Sequence, residues 1–403
     1  MQTGEDKKYS YSNKNRSLFF LILSCSGGAG HIRAAESLHR TSPLTGLPIY
    51  TKHYDVLNFT SKLFKQFYAG SYMQMVNRVP ELWGYLYDQS EKKAYKKHGL
   101  IKTFDKFNYS RYFRMLKELN PDAIICTHFL PYVAITKQLR AKGITAPVFA
   151  VTTDFDVHQL WVDPIVERYF VYHAESAWQL HAKNIPLEKI ITTGIPVMPE
   201  FQLKSNPKTI RTTLGISPDQ FTILVLSGGF GMGRVSDIVE RINTTLSEMD
   251  NRKFNLLIVC GKNEKLRSEI EAIQFPHNIF PTIYGFVDNI HELMDASDLL
   301  ISKSGGLTSS EAMAKSLPIL IVEPIPGQES RNADIIVEHG AGWKSINVWN
   351  LGYKLKQIFE RPSMIAEARK ATQLLAKPNA ADEILKYVYK HLTSKVALDS
   401  KNS

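Results

Sequence analysis

Leu18-Phe-Phe-Leu-Ile-Leu-Ser-Cys-Ser-Gly-Gly-Ala-Gly-His31 is the stretch on which the fold turns. Six consecutive apolar residues run into a serine–glycine turn, and a helical pattern follows over 30–40. A short apolar run bounded by glycines reads as a buried strand, because it is far below the ~20 residues that cross a bilayer. Strand, glycine turn, helix is the place where backbone N–H groups can approach an anion without Cβ obstruction. The same arrangement returns at Thr222-Ile-Leu-Val-Leu-Ser-Gly-Gly-Phe-Gly-Met-Gly-Arg234. Each turn alone could be only a tight βα connection. Two of them, one opening each half of the chain, are better explained by a shared anionic ligand.

Working outward, strands are expected at 18–24, 48–54, 123–127, 148–152 and 169–172, with helices at 30–40, 131–142 and 176–183. A second series of strands follows at 222–226, 255–260, 279–284, 299–302 and 319–322. Alternation of this kind predicts an α/β fold with two doubly wound parallel sheets whose ligands sit at the carboxyl ends of the strands. Residues 193–207 carry three prolines and little periodicity, and mark a boundary. The expected organisation is an N-terminal domain over 1–198, a C-terminal domain over 199–379, and a closing helix with a frayed tail over 380–403.

Among 403 residues, 44% are hydrophobic and 22% charged, ordinary globular composition that excludes disordered and collagen-like chains. Three separated cysteines (Cys25, Cys126, Cys260) make neither a disulfide framework nor a zinc site, so a cytoplasmic chain is expected. The net charge of +10 is uneven: residues 1–200 hold 25 basic against 17 acidic side chains. Nine of the basic ones lie over 92–117, with Asp105 the one acid there and Tyr95, Phe104, Phe107, Tyr109, Tyr112 and Phe113 interleaved. Basic charge alternating with aromatic rings suits an anionic membrane surface. A plain solvated helix is the alternative, and nucleic acid is not expected because no RNP, helix-turn-helix or zinc-finger pattern accompanies the charge.

Several motifs define what the ligand is not. Gly28-Ala-Gly30-His-Ile-Arg33 lacks the third glycine of the dinucleotide fingerprint. Gly228 to Gly233 has P-loop spacing, but Arg234-Val235 replaces the Lys-Ser/Thr pair that a nucleoside triphosphatase needs. His31 follows the first glycine run where a helix begins. The helix N-terminus disfavours imidazolium, and a neutral imidazole beside a cleft can take a proton from a hydroxyl. In Leu299-Leu-Ile-Ser-Lys-Ser-Gly-Gly-Leu-Thr-Ser-Ser-Glu311 a strand ends in a turn that can seat a phosphate on the next helix. There Thr308 and Glu311 form either a capping box or, through Glu311, an acceptor for two neighbouring sugar hydroxyls. Pro324-Ile-Pro-Gly-Gln-Glu-Ser-Arg-Asn332 is a polar loop suited to a sugar.

Seven motifs in order then carry a resemblance: Ser26–His31, Thr153-Asp-Phe-Asp-Val-His-Gln-Leu-Trp161, Thr193-Gly-Ile-Pro196, Ser227-Gly-Gly-Phe-Gly231, Tyr284-Gly-Phe-Val287, Ser304–Glu311 and Pro326–Asn332. Over roughly 18–345 the chain resembles the GT-B glycosyltransferases of the monogalactosyldiacylglycerol synthase and processive diacylglycerol glucosyltransferase group. That group is related to the enzyme adding N-acetylglucosamine to the peptidoglycan lipid intermediate. The resemblance implies two Rossmann-like domains with a UDP-sugar in the cleft and inverting transfer of a hexose to a lipid hydroxyl, diacylglycerol favoured, in glycolipid biosynthesis. It makes His31 the base. Donor contacts would come from the turn at Gly228 and Gly229, from Phe286 and Val287 at the uracil, and from Glu311 at the ribose. Ser304, Gly305, Gly306, Leu307 and Thr308 would meet the diphosphate, and Gln328, Glu329 and Asn332 the sugar. The acceptor side would use Gly28, Gly30, Asp154, His158, Trp161, and Pro80 and Trp83 of an aromatic stretch over 78–85.

Ala29 departs from the unbroken glycine run of the group, and the segment after Trp83 aligns loosely. Asp154-Phe-Asp156 spells the D-x-D of metal-dependent enzymes of another fold; here helix N-termini can neutralise the diphosphate, so no metal or other cofactor is expected. The expected location is the inner face of a membrane, peripherally bound. The alternatives from other classes are a UDP-N-acetylglucosamine 2-epimerase-like isomerase, N-acetylglucosaminyl transfer to another lipid, and a UDP-sugar sensor without turnover. Aromatic residues Phe59, Phe64, Phe67, Tyr68 and Trp83 speak against the isomerase, which needs no lipid surface, unless they are ordinary helix core.

Overall fold

The computed structural model describes residues 16–26, 28–61, 65, 110–133, 143–227 and 234–399. The segment over 66–109, with most of the basic-aromatic run, and the turn over 228–233 lie outside it. So does most of the expected helix over 131–142.

The first half contains strands β1 (Leu18–Ser24), β2 (Ile49–Asp55), β3 (Ala123–Cys126), β4 (Val148–Val151), β5 (Val166–Val171) and β6 (Ile190–Thr192). Its described helices are α1 (Ala29–Thr41), α2 (Ser110–Leu119) and α3 (Ala174–Ala182). All six strands pair in parallel in the order β2-β1-β3-β4-β5-β6. β1 is apolar at nearly every position because both of its faces are covered, as a central parallel strand requires. One face packs Leu21, Leu23, Ile124 and Ala150 against α2, and the other packs Phe20, Ile22, Ile125 and Phe149.

The second half opens with α4 (Pro207–Thr213) and continues with β7 (Phe221–Leu226), α5 (Val235–Ser247), β8 (Phe254–Val259), α6 (Glu264–Glu271), β9 (Ile279–Tyr284) and α7 (Ile290–Asp295). Then come β10 (Leu299–Ser302), α8 (Gly306–Ala314), β11 (Ile319–Ile321), α9 (Gln328–Glu338) and β12 (Gly342–Lys344). Helices α10 (Val348–Glu360), α11 (Ser363–Leu375) and α12 (Ala380–Asp399) close the chain. The second sheet is also parallel, in the order β12-β11-β10-β7-β8-β9. The strand order reverses between β1 and β3 in one sheet and between β7 and β10 in the other. In doubly wound sheets those switch points open a crevice beyond the carboxyl ends of the strands.

The two sheets are joined twice. Residues 193–198 cross from β6 to the second half, and the chain crosses back after α11. There α12 sets Ala381, Ile384, Leu385 and Val388 on the free face of the first sheet, beside Phe149 and Phe170. Tyr387 Oη accepts from Arg168 Nε at 3.2 Å, and His391 meets Glu167 at 3.0 Å. The two crossings touch. Gly194 has φ +101°, and a Cβ there would overlap Lys377 Cβ and lie 2.8 Å from its Cγ, so only glycine fits. The closing helix runs to Asp399, into the tail expected to fray, because no glycine or proline interrupts 380–399. Edge strands β6 and β12, three residues each, escape a pattern-based reading because they are too short to show a period.

Apolar packing also bridges the halves. Phe155, from the loop after β4, stacks on Tyr172 at 3.9 Å and lies in one cluster with Leu307, Met313 and Ile195. Full burial of a phenylalanine stabilises by about 1.5–3 kcal/mol, so this contact favours the closed arrangement.

Candidate active site

A cleft of about 300 Å³ lies between the sheets, lined by residues that follow β1, β4, β7, β8, β9, β10 and β11. On the first wall, α1 starts after Gly28, which is extended (φ −170°) and offers no side-chain cap. The N–H groups of Ala29, Gly30 and His31 therefore have no partner within the helix. His31 is buried at this terminus. Its Nδ1 lies 3.0 Å from the carbonyl oxygen of Thr127 and 2.8 Å from Thr153 Oγ1. A carbonyl oxygen can only accept, so the first contact requires Nδ1–H and leaves the lone pair on Nε2. Burial pushes the His31 pKa below the ordinary histidine value, against the pull of Asp154 and the Thr127 carbonyl. His31 is then neutral at neutral pH. His128 stands edge-on to it at 4.5 Å and is pushed well down by burial and by His31.

The second wall is the N-terminus of α8. Gly305 is its N-cap and the helix begins at Gly306, so Thr308 lies inside the first turn. This overturns the capping-box alternative: neither Gly305 nor Thr308 caps the helix through a side chain, and the first N–H groups are left for the cleft. Gly30 and Leu307 lie in van der Waals range, since a Cβ at Gly30 would sit 3.7 Å from Leu307 Cβ. Two helix N-termini thus converge on one space, with Arg33 and Lys303 also lining it. Such a junction favours a diphosphate.

Glu311, one turn into α8, is buried and accepts from Arg33 Nη2 at 2.9 Å across the cleft. Burial raises its pKa and the guanidinium opposes the rise. Gln328 and Glu329 line the cleft at the start of α9. Gln328 donates to Asp154 Oδ2, and Glu329 Oε2 accepts from the Ile325 N–H at 2.8 Å. Phe286 and Val287 line the far end; the Phe286 ring is exposed with Lys262 Nζ 5.2 Å above it.

Other residues singled out in the sequence, Asp154 apart, lie behind these walls. Asn332 is fully buried and fully used. Its Nδ2 donates to Asp154 Oδ1 (3.0 Å) and the Ser304 carbonyl (3.1 Å), and its Oδ1 accepts from the Phe155 N–H (2.9 Å). Ser304 itself turns its hydroxyl to the Glu329 carbonyl at 2.6 Å. Asp154, also buried, lines the cleft between His31 and the two amides; Asp156 pairs with Arg331 at 2.8 Å. Both D-x-D carboxylates are thus occupied by donors from α9. Among the described residues no group of three His, Cys, Asp or Glu side chains is placed to hold a metal ion. His158 accepts from the Leu160 N–H at 3.1 Å, and Trp161 sits in the first core with its ring 6.4 Å from that of His128. Neither lines the cleft. Gly228, Gly229, Pro80 and Trp83 lie outside the described residues.

Sequence reading missed Arg33, Lys303, Thr153 and His128. Lys303 had a signal available, being a cation two residues before Gly305. Thr153 and His128 had none, because their place beside His31 depends on how β1, β3 and β4 align.

Two doubly wound domains whose strand ends and helix N-termini meet across one cleft define a GT-B architecture. Residues 31–197 match the family model for monogalactosyldiacylglycerol (MGDG) synthase, and residues 222–384 match that for the glycosyltransferase family 28 C-terminal domain. The chain is a GT-B glycosyltransferase whose two halves match an MGDG synthase domain and a glycosyltransferase family 28 C-terminal domain. It is 28% identical over 372 residues to the processive diacylglycerol beta-glucosyltransferase of Bacillus thuringiensis (strain Al Hakam), covering 91% of this chain and 92% of that one. The enzyme of the same name from Bacillus cereus (strain B4264) is 29% identical over 369 residues, with the same coverage. Among solved structures, Acinetobacter baumannii MurG aligns with TM-score 0.60 at 15% identity, covering 93% of this chain and 99% of that one. The UDP-GlcNAc 2-epimerase of Neisseria meningitidis bound to UDP-GlcNAc aligns at 0.58 and 16%, again with 93% and 99% coverage. At such identities the structural likenesses establish the fold.

Proposed function

We propose that the protein transfers a hexose from a UDP-sugar to the hydroxyl of a membrane lipid, with inversion at the anomeric carbon and without a metal. The observation that carries this reading is a neutral His31, its Nε2 lone pair unclaimed by the Thr127 contact, beside two converging helix N-termini. His31 takes the proton of the acceptor hydroxyl as its oxygen bonds to the anomeric carbon. The bond from that carbon to the UDP oxygen breaks on the opposite face, and a single displacement inverts the centre. Charge building on the leaving diphosphate meets the N–H groups of α1 and α8 and the cation Lys303. Glu311 accepts from the ribose hydroxyls, Phe286 and Val287 flank the base, and Gln328 and Glu329 read the sugar. Diacylglycerol as acceptor is supported by what the Bacillus relatives are named for, and those names put glucose first among donors.

The test is UDP release from UDP-glucose, UDP-galactose and UDP-N-acetylglucosamine, with and without diacylglycerol in anionic vesicles. Release that needs the lipid, with a labelled glycolipid of inverted configuration by NMR, is the expected result. Lipid-independent conversion of UDP-N-acetylglucosamine would move the site to isomerase chemistry.

No helix among the described residues is long and apolar enough to cross a membrane. We assign attachment at the inner membrane face to the basic-aromatic run over 92–117, from its sequence. Lysines near an anionic surface contribute about 1 kcal/mol each. Replacing Lys92, Lys93, Lys96 and Lys97 with glutamine should therefore weaken sedimentation with anionic vesicles at least ~10-fold, and leave neutral vesicles unaffected. Equal sedimentation of both proteins would make the run a solvated face.

A further inference from the structure

Arg33 is a charged side chain of the cleft for which the chemistry above has no use, yet its setting is specific. It stands on α1 two residues beyond His31, and its Nη2 reaches Glu311 on α8 at 2.9 Å. That ion pair spans the two domains. Glu311 is almost wholly inaccessible, whereas the Arg33 side chain is 39% exposed and faces the cleft. Arg33 Nε is buried and has no hydrogen-bond partner among the described residues. A guanidinium with one arm committed and another donor unsatisfied is poised to change partners, because an unpaired buried N–H costs about 1–3 kcal/mol. Arg33 faces Glu311 from α1; the remaining charged groups lining the cleft are His31, Asp154, Lys303 and Glu329.

We propose that Arg33 is a positioning residue of the donor site: it holds the Glu311 carboxylate toward the cleft in the donor-free protein and yields it to a vicinal diol when a nucleotide binds. The inference rests on the reading that Glu311 takes the ribose hydroxyls. The cation that opposes the burial-driven rise of this carboxyl's pKa sits on the helix that carries His31. Occupation of the donor site therefore releases a cross-cleft contact of the acceptor-side helix, and donor binding is communicated to the base through α1. Lysine preserves the charge but not the planar fork, and methionine removes both.

The test uses the full-length protein with UDP as the probe. Titration calorimetry from pH 5.5 to 8.5 compares wild type, Arg33→Lys, Arg33→Met, Glu311→Gln and the Arg33→Met/Glu311→Gln double variant. Wild type and Arg33→Lys should bind UDP with an affinity that is flat in pH. In Arg33→Met the affinity should fall about tenfold toward the acid end, as the carboxyl takes a proton. In the Glu311→Gln background, removal of Arg33 should add nothing. A flat, wild-type-like Arg33→Met would overturn the proposal. So would an equal loss in both backgrounds, which would put Arg33 on the nucleotide itself.

Ligand-free melting separates the two layers. A carboxyl whose folded pKa is raised loses stability as pH climbs past its unfolded value. The Tm deficit of Arg33→Met should then grow from pH 5 to pH 8 and vanish in the double variant. A deficit that is constant in pH contradicts the hold of Arg33 on Glu311. Wild-type protein that binds no UDP at any pH overturns the donor-site reading, and the diol exchange with it, while the melting series still judges the ion pair.

Discussion

Replacing His31 with alanine should lower lipid glycosylation by about 10²–10⁴-fold, the range that a positioned general base contributes. UDP affinity should stay within about twofold of wild type, since the diphosphate and ribose contacts come from other residues. The loss should therefore appear in kcat and not in the affinity for UDP. The pH profile supplies a second check on the same residue. Burial places the His31 pKa below the ordinary histidine value, so the base is neutral and competent at pH 7. Activity should hold as pH falls toward about 6.5, the unperturbed histidine value, and drop only below it, when the imidazole takes a proton and its Nε2 lone pair is lost. An acid limb centred well above that value would contradict a buried neutral base. Thr153→Val removes the hydroxyl beside Nδ1 while the Thr127 carbonyl continues to fix the tautomer, so its effect should be much smaller. Near-normal turnover by His31→Ala would return the residue to a structural role.

How much of this was legible beforehand follows from what kind of information each feature needs. The β1 and β7 runs, with their glycine turns, are local patterns in which a short apolar run must be a strand covered on both faces. They set the doubly wound class and the side of each sheet on which the site lies. Glu311 and Gln328 could be picked out because they lie in polar segments that follow strand-ending turns and match the motifs of the resemblance. By contrast, Asn332 reads as a sugar ligand in sequence, and in the fold it is spent entirely on Asp154, Phe155 and Ser304. His158 and Trp161 similarly read as acceptor residues and lie in the core. In all three cases the chemistry of the side chain is right for either role. What decides is tertiary packing, across the domains for Asn332 and within the first domain for His158 and Trp161, which no local pattern records. Arg33 was missed for the same reason, since its partner lies 278 residues away.

The largest effect away from the base is expected at Gly306. Elsewhere an alanine would help a helix by about 0.5–1 kcal/mol over glycine. Here a Cβ would overlap the Thr153 carbonyl oxygen and lie 3.0 Å from both Thr153 C and Asp154 Cα, all backbone atoms of the other domain. No flexible side chain is available to yield. Thr153 is tied to His31 through Oγ1, and Asp154 to Gln328 and Asn332. Relief must come from moving the α8 N-terminus off the loop after β4, which parts the diphosphate seat from the base. Misplacement by about 1 Å can cost 10²-fold in rate, so Gly306→Ala should lose at least that much activity. Its circular dichroism should remain native, because the collision is between domains and not within one. Gly30→Ala is the control. It too lines the cleft, but its Cβ would meet Leu307 Cβ at an ordinary 3.7 Å. If a methyl group merely narrowed the cleft, the two substitutions would be equally harmful. If closure of the domains is what assembles the site, Gly306→Ala should be far worse, and small-angle scattering should show it more extended than either wild type or Gly30→Ala.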